Sequence, residues 1–169
     1  AKFHNFRIDV PAAENVDGYR QQSASRLELL NLSTGDRKVV YATKEHIEAP
    51  NWSVDGKFLI YNSGGLLYKF PLATKKPEKI NTGDVTKCNN DHGLSFDGKM
   101  LAISSSAKLP NGRSGSMVYT VPVTGGIPKA ITQDVPSYWH GWSPDGKTLV
   151  FCGERNGDFD VWGIPSNGG

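Results

Sequence analysis

Two histidines stand at the same place in a phrase that returns three times along the chain. His92 and His140 each lie three residues before the serine of their copy, where the first copy has Pro50. Imidazoles beside a carboxylate could bind a divalent metal ion, and aromatic rings with polar neighbours could stack on a ligand and hydrogen-bond to it. Both kinds of neighbour are present: Asn90, Asp91, Tyr138 and Trp139. These six residues are the predicted ligand-binding surface, and His92 and His140 are its candidate metal ligands. A structural role for both histidines, as hydrogen-bond partners of backbone or of a neighbouring unit, is the alternative.

The serine and the aspartate of the phrase recur in every copy. The copies are Ser53-Val54-Asp55-Gly56-Lys57, Ser95-Phe96-Asp97-Gly98-Lys99 and Ser143-Pro144-Asp145-Gly146-Lys147. Glycine accepts the positive φ of a tight turn, and an aspartate can hydrogen-bond the backbone of its own turn. A residue that recurs in every unit is expected to stabilise the turn that every unit shares, so these side chains are predicted to be structural. None of the serines lies in a Gly-x-Ser-x-Gly elbow, which disfavours a serine hydrolase on this segment.

The spacing of the phrase predicts the elements that position the histidines. The three serines are 42 and 48 residues apart, a period typical of a repeated β-unit. In each unit the phrase is followed by a strand rich in β-branched and aromatic residues, then by a strand that ends at proline. A short polar fourth strand follows in the first two units. Four strands per period match one blade of a β-propeller, and the histidines then lie on the innermost strands, near the mouth of the central channel.

The predicted fold is therefore all-β, a β-propeller built of four-stranded antiparallel blades. Residues 1–24 form an opening segment that the pattern does not place, and residues 25–169 form a partial propeller. Within it we assign residues 25–41 as closing strands of an earlier blade, 48–80 and 91–132 as full blades, and 138–169 as an incomplete blade. The hairpin connections differ in length, with a long polar loop predicted over 104–116 and a charged hairpin over 153–160.

About three blades are present, whereas a closed ring needs at least roughly four and commonly six or seven. An open arc would expose sheet edges and apolar blade faces. The expected partner is therefore the remainder of the propeller. It could be a C-terminal half beyond this sequence, or a second copy whose first strands complete the third blade.

Composition excludes several classes of protein. The formal charge is +2 and the basic residues are scattered, so no nucleic-acid partner is expected. The apolar runs are too short to span a bilayer, and no transmembrane segment is predicted. Cys88 and Cys152 occupy non-equivalent places in the repeat, which disfavours a disulfide between them.

The phrase resembles the repeat of the TolB-like propeller family. The likeness rests on residues 52–57 and 142–147, on the strands that follow them, and on the ending Val161-Trp162-Gly163-Ile164-Pro165-Ser166-Asn167-Gly168-Gly169. It covers roughly residues 25–169. Relatives of this repeat include a periplasmic component of a cell-envelope complex, oligogalacturonate lyases and the propeller domains of serine peptidases. The resemblance implies the fold, and it favours a periplasmic or secreted location while leaving a cytoplasmic one open.

For function, the sequence favours a non-catalytic binding or scaffold module that recognises a protein, peptide or glycan at the channel mouth. The enzymatic alternative comes from the resemblance. Oligogalacturonate lyases hold a manganese-like ion with channel-mouth histidines, and the positions of His92 and His140 are compatible with such a cofactor. The second alternative is the propeller domain of a peptidase, whose hydrolase domain this sequence does not contain.

Overall fold

A computed structural model describes residues 24–169, so the opening segment assigned to residues 1–24 lies almost entirely outside the described residues. The described chain is folded into thirteen β-strands. They are β1 (Ser25–Leu30), β2 (Arg37–Thr43), β3 (Glu48–Trp52), β4 (Phe58–Ser63), β5 (Leu66–Pro71), β6 (Glu78–Lys79), β7 (Cys88–Leu94), β8 (Met100–Lys108), β9 (Ser114–Pro122), β10 (Lys129–Ala130), β11 (Ser137–Trp142), β12 (Thr148–Arg155) and β13 (Asp158–Pro165). Within residues 24–169 no helix is long and apolar enough to cross a membrane.

The strands form four antiparallel sheets in simple up-and-down order. The first sheet holds β1 and β2, blade I holds β3 to β6, blade II holds β7 to β10, and blade III holds β11 to β13. The outer strands β6 and β10 have two residues each, as their polar sequences predicted. The prediction of an all-β protein built of four-stranded antiparallel blades is confirmed, with two strands in the first sheet and three in blade III.

The repeated phrase builds the same turn in every blade. In blade II the Ser95 hydroxyl donates to Asp97 Oδ1 at 2.6 Å and accepts from the Met100 backbone N–H at 3.0 Å. Asp97 Oδ1 also accepts from the Lys99 N–H, and Gly98 adopts a φ of 69°. The same hydrogen bonds recur around Ser53 and Ser143. The recurrent serines and aspartates are therefore turn residues.

Apolar side chains fill the space between neighbouring sheets. Leu27 of the first sheet packs with Leu59, Tyr61 and Phe70 of blade I. Ile60 and Leu67 on the other face of blade I pack with blade II, which in turn packs on blade III. Against blade I, blade II contributes Leu101, Ile103 and Val121. Between blades II and III the packed side chains are Ala102 and Val118 of blade II and Leu149 and Phe151 of blade III. Each blade thus buries both faces between its neighbours, except blade III.

The outer face of blade III is exposed at a position that is buried in the other blades. Leu67, Val118 and Val161 each lie four residues before the proline that ends the third strand. Leu67 and Val118 are 0% exposed, but Val161 is 77% exposed. On the same face Val161 is paired with Cys152, and Phe159 beside them is 57% exposed. We call Val150, Cys152, Phe159 and Val161 the outer face of blade III.

The hairpin of blade II differs from the predicted loop, whereas blade III has the predicted charged hairpin. The long loop expected over residues 104–116 is mostly strand, because β8 and β9 each extend to nine residues and leave only 109–113 as the turn. The charged stretch 153–160 likewise forms the ends of β12 and β13 around a tight turn at Asn156 and Gly157. Cross-strand pairing continues regularly through both extensions, so the polar residues there are strand residues rather than loop insertions.

Candidate functional site

The innermost strands of the three blades carry the candidate site. These strands, β3, β7 and β11, open their blades and contact one another from blade to blade. Each has an irregularity in its pairing at the same place, between Glu48 and Asn51, between Cys88 and His92, and between Trp139 and Gly141. A bulge re-aims side chains locally, and it is here that the predicted site residues lie.

His92 is buried between blades I and II. Its side chain is 3% exposed, and its Nδ1 lies 3.4 Å from Asn51 Nδ2 on the neighbouring innermost strand. Burial lowers the pKa of His92 to about 4, although the nearby Glu48 carboxylate opposes this shift. The imidazole is therefore neutral at pH 7 and links two blades. Its Nε2 is buried without a hydrogen-bond partner in the described part of the chain.

Asp91 and His140 lie on the innermost strands of blades II and III, which contact each other. Asp91 is half-buried, and burial raises the pKa of its carboxyl, while the nearby His140 and the Asn89 side chain act in the opposite direction. Asn89 Nδ2 donates to Asp91 Oδ2 at 3.0 Å, and Asn89 Oδ1 accepts from the Asp91 N–H at 3.0 Å. His140 and Asn90 are exposed. The structure thus places a carboxylate, an imidazole and amides on adjacent innermost strands.

Trp139 is an inter-blade side chain that also reaches this region. Its backbone N–H donates to Ser104 Oγ at 2.8 Å, and its ring lies so close to Gly93 that a Cβ there would overlap it. The indole Nε1 is buried and makes no hydrogen bond within residues 24–169. Tyr138, the preceding residue, is half-buried. Trp139 therefore packs blade III onto blade II, at the edge of the predicted surface.

Two residues that contact the innermost strands in this region, Asn89 and His46, were not predicted from the sequence as part of the site. Asn89 holds Asp91 in place, and its spacing of two residues before an aspartate was the available signal. His46 lies outside the repeat register, yet its Nε2 is 2.7 Å from Glu48 Oε1, and Glu48 also accepts from Asn62 at 3.2 Å. Within residues 24–169 no three His, Cys, Asp or Glu side chains are grouped so that they could hold a metal ion. His92 is buried while His140 is exposed, so the two histidines have different environments.

Comparisons with known proteins place this geometry among propellers. No family model matches the chain. A curated protein of Agrobacterium fabrum, named only as uncharacterized protein Atu1656, is 49% identical over 146 residues, which are 86% of this chain and 48% of that protein. A solved structure assigned to TolB from Agrobacterium tumefaciens is 49% identical with a TM-score of 0.76, over 85% of this chain and 50% of that one.

A more distant structure, TolB from Acinetobacter baumannii, is 22% identical with a TM-score of 0.66, over 83% of this chain and 35% of that one. At this identity the likeness concerns the fold. The chain spans about half the length of the two Agrobacterium proteins that it matches.

Proposed function

Because the chain carries the TolB-like β-propeller repeat, we propose that it is part of a propeller that acts as a non-catalytic binding module. Its binding surface is the rim of the innermost strands, at Asn90, Asp91, Tyr138, Trp139 and His140, while the sixth predicted residue, His92, is buried beneath that rim. The observation that carries the proposal is that the half-buried Asp91 and the exposed Asn90 and His140 lie on β7 and β11, which contact each other across blades II and III. A rigid sheet scaffold that presents polar groups from adjacent blades suits recognition without a reactive group.

The chemistry of this rim favours a polypeptide partner over a glycan. Asp91 and the amides of Asn89 and Asn90 supply hydrogen-bond acceptors, and no lysine or arginine occurs on β7 or β11. Carboxylate and amide oxygens pair with the N–H groups of a peptide backbone and of Lys or Arg side chains. The His140 imidazole can serve as a hydrogen-bond donor or acceptor. The expected partner is a polypeptide segment that carries basic side chains.

The remainder of the propeller is the second proposed partner. The outer face of blade III carries Val161 and Phe159 in the open, at the register where blades I and II bury Leu67 and Val118. The relatives are about twice as long as the region matched. We propose that a further blade covers this face, supplied by a longer chain or by a second copy.

Selection from a displayed library of random peptides tests the binding proposal. We expect the full chain to enrich sequences that carry Lys or Arg, and the Asp91→Asn, His140→Ala double variant to lose about tenfold or more in affinity for them. Phe96→Ala is the matched control, because Phe96 is exposed in the turn beyond the end of β7. Selected peptides that bind the double variant as tightly as wild type would contradict the proposed surface.

The lyase alternative rests on a metal at His92 and His140, and elemental analysis of protein purified without an affinity tag tests it. Bound manganese or zinc that His140→Ala removes would favour the lyase over the binding module. The peptidase alternative requires a hydrolase domain joined to the propeller, which sequencing of the intact protein would show.

A further inference from the structure

We infer that the cleft between blades II and III, at the tips of their extended hairpins, is a binding site for a neutral carbohydrate. The cleft has a volume of about 410 Å³, within the range of small-molecule sites. Its lining includes Arg113 and Asp134 on the blade II side and Arg155, Asn156 and Trp162 on the blade III side. Both walls belong to the described chain, and neither depends on a further blade. The site is separate from the rim proposed above.

The cleft exists because these two blades depart from the repeat. Strands β8 and β9 have nine residues each and β12 and β13 have eight, whereas β4 and β5 of blade I have six. At the corresponding end of blades I and II the backbones close on each other. The Cys88 N–H donates to the Gly65 carbonyl at 2.9 Å, and a Cβ on Gly65 would overlap the Thr86 carbonyl. Blades II and III also approach closely, at Gly115 and Pro136, and the cleft lies beyond that approach, between the tips of their longer hairpins.

Hydrogen bonds hold the blade II wall in place. Arg113 Nη1 pairs with Asp134 Oδ1, and Arg113 Nη2 donates to the Val135 carbonyl. Only two of the five guanidinium N–H groups are required for these contacts, and the side chain is 48% exposed. Asp134 Oδ1 also accepts from the Val135 N–H, while Oδ2 takes no hydrogen bond from any described residue. The wall thus offers fixed donors beside a fixed acceptor.

An aromatic ring forms the blade III wall. Trp162 is 39% exposed, and its Nε1 donates to the Gly153 carbonyl at 3.1 Å. Arg155 lies over the rings of Phe151 and Trp162, at 5.6 and 5.9 Å from their centroids. Its guanidinium also donates to Ser137 Oγ and to the Pro136 carbonyl. The indole is therefore oriented by contacts on its own blade before any ligand arrives.

The balance of charge selects the class of ligand. Two arginines, Arg113 and Arg155, are matched by the carboxyl-bearing Asp134 and Glu154, so the lining has no excess charge to attract a phosphate or an acidic sugar. An apolar ring beside fixed donors and acceptors fits a molecule with an apolar C–H face and hydroxyl edges. A neutral hexose unit has this combination. Its ring would stack on Trp162, and its hydroxyls would bind Arg113 and Asp134.

Titration of the full chain with maltotriose, cellotriose and triacetylchitotriose tests this inference, with indole N–H resonances in two-dimensional NMR as the readout. At least one sugar should give a saturable shift of the Trp162 signal. Trp162→Ala, measured by calorimetry because it lacks the Trp162 signal, and Asp134→Asn should each weaken that binding by about tenfold. Asp134→Asn keeps the shape of the wall and covers the case in which Trp162→Ala disturbs folding.

Trp52→Ala is the matched control, because Trp52 is 54% exposed on blade I, away from the cleft. It should leave sugar binding unchanged. No saturable shift with any of the three sugars would overturn the inference. So would tighter binding of trigalacturonate or phosphate at Trp162, or an equal loss of affinity in Trp52→Ala. Peptide binding at Asp91 and His140 is measured separately, so the two proposals can fail independently.

Discussion

Replacement of Ser95 by alanine tests whether the recurrent serines have a structural role, because a structural hydroxyl contributes to the free energy of unfolding. Ser95 is 5% exposed, and its Oγ accepts the Met100 N–H at 3.0 Å. Ser95→Ala leaves that N–H without its partner, and a poorly hydrated unpaired donor costs about 1–3 kcal/mol. Loss of the hydrogen bond from Ser95 to Asp97 should not add to this cost, because the exposed Asp97 carboxylate can hydrogen-bond water instead. The free energy of unfolding should therefore fall by about 2 kcal/mol.

The repeat supplies a graded series for the same measurement. Ser53 is 6% exposed, so Ser53→Ala should cost about as much, whereas the half-buried Ser143 should cost less because water can reach its turn. Urea denaturation followed by tryptophan fluorescence measures these differences, with the slope of the transition as a check for two-state unfolding. Equal losses at all three serines, or a loss below about 0.5 kcal/mol at Ser95, would refute the reasoning from burial.

Two further changes probe the contacts between blades. Gly93→Ala should lower the free energy of unfolding by about 1–3 kcal/mol, because the new methyl would overlap the Trp139 ring, while Gly141→Ala at the same place in the third copy meets no atom within 4 Å and should be nearly neutral. Urea denaturation of both variants decides this, and equal effects would contradict it. Burial lowers the pKa of His92 from 6.5 to about 4, so the unfolded chain binds the proton more tightly and stability is lost as pH falls through that window. The loss in free energy of unfolding should approach about 3 kcal/mol near pH 4 and be absent in His92→Gln. An NMR titration that gives the His92 ring its ordinary pKa would contradict the lowered pKa.

The sequence predicted the repeat because turns and strands are local. Ser-x-Asp-Gly-Lys specifies a hydrogen-bonded turn within five residues, so its three copies predicted the strands around them. The proline after each third strand likewise predicted where that strand ends. The long loop over 104–116 was predicted wrongly, because serine and lysine there signalled a polar loop while pairing with the opposite strand kept them extended.

The site was less predictable because it depends on contacts between blades. The register placed His92 and His140 on neighbouring innermost strands, but it could not show that Asn51 and the bulge bury one imidazole and leave the other exposed. The cleft beside Trp162 depends on how far two hairpins extend and on an ion pair 21 residues apart in sequence, between Arg113 and Asp134. Distances of this kind are set by packing, which composition and spacing do not encode.

The exposed outer face of blade III is the most direct test of the claim that this chain is part of a larger propeller. Sedimentation equilibrium should show wild-type chain associating above its monomer mass of 18.4 kDa, because Val161 and Phe159 lie uncovered. Val161→Lys should weaken that association, and Val54→Lys, at a turn residue that is 66% exposed, should leave it unchanged. A wild-type chain that stays an 18.4 kDa monomer at every concentration and unfolds cooperatively would contradict the account.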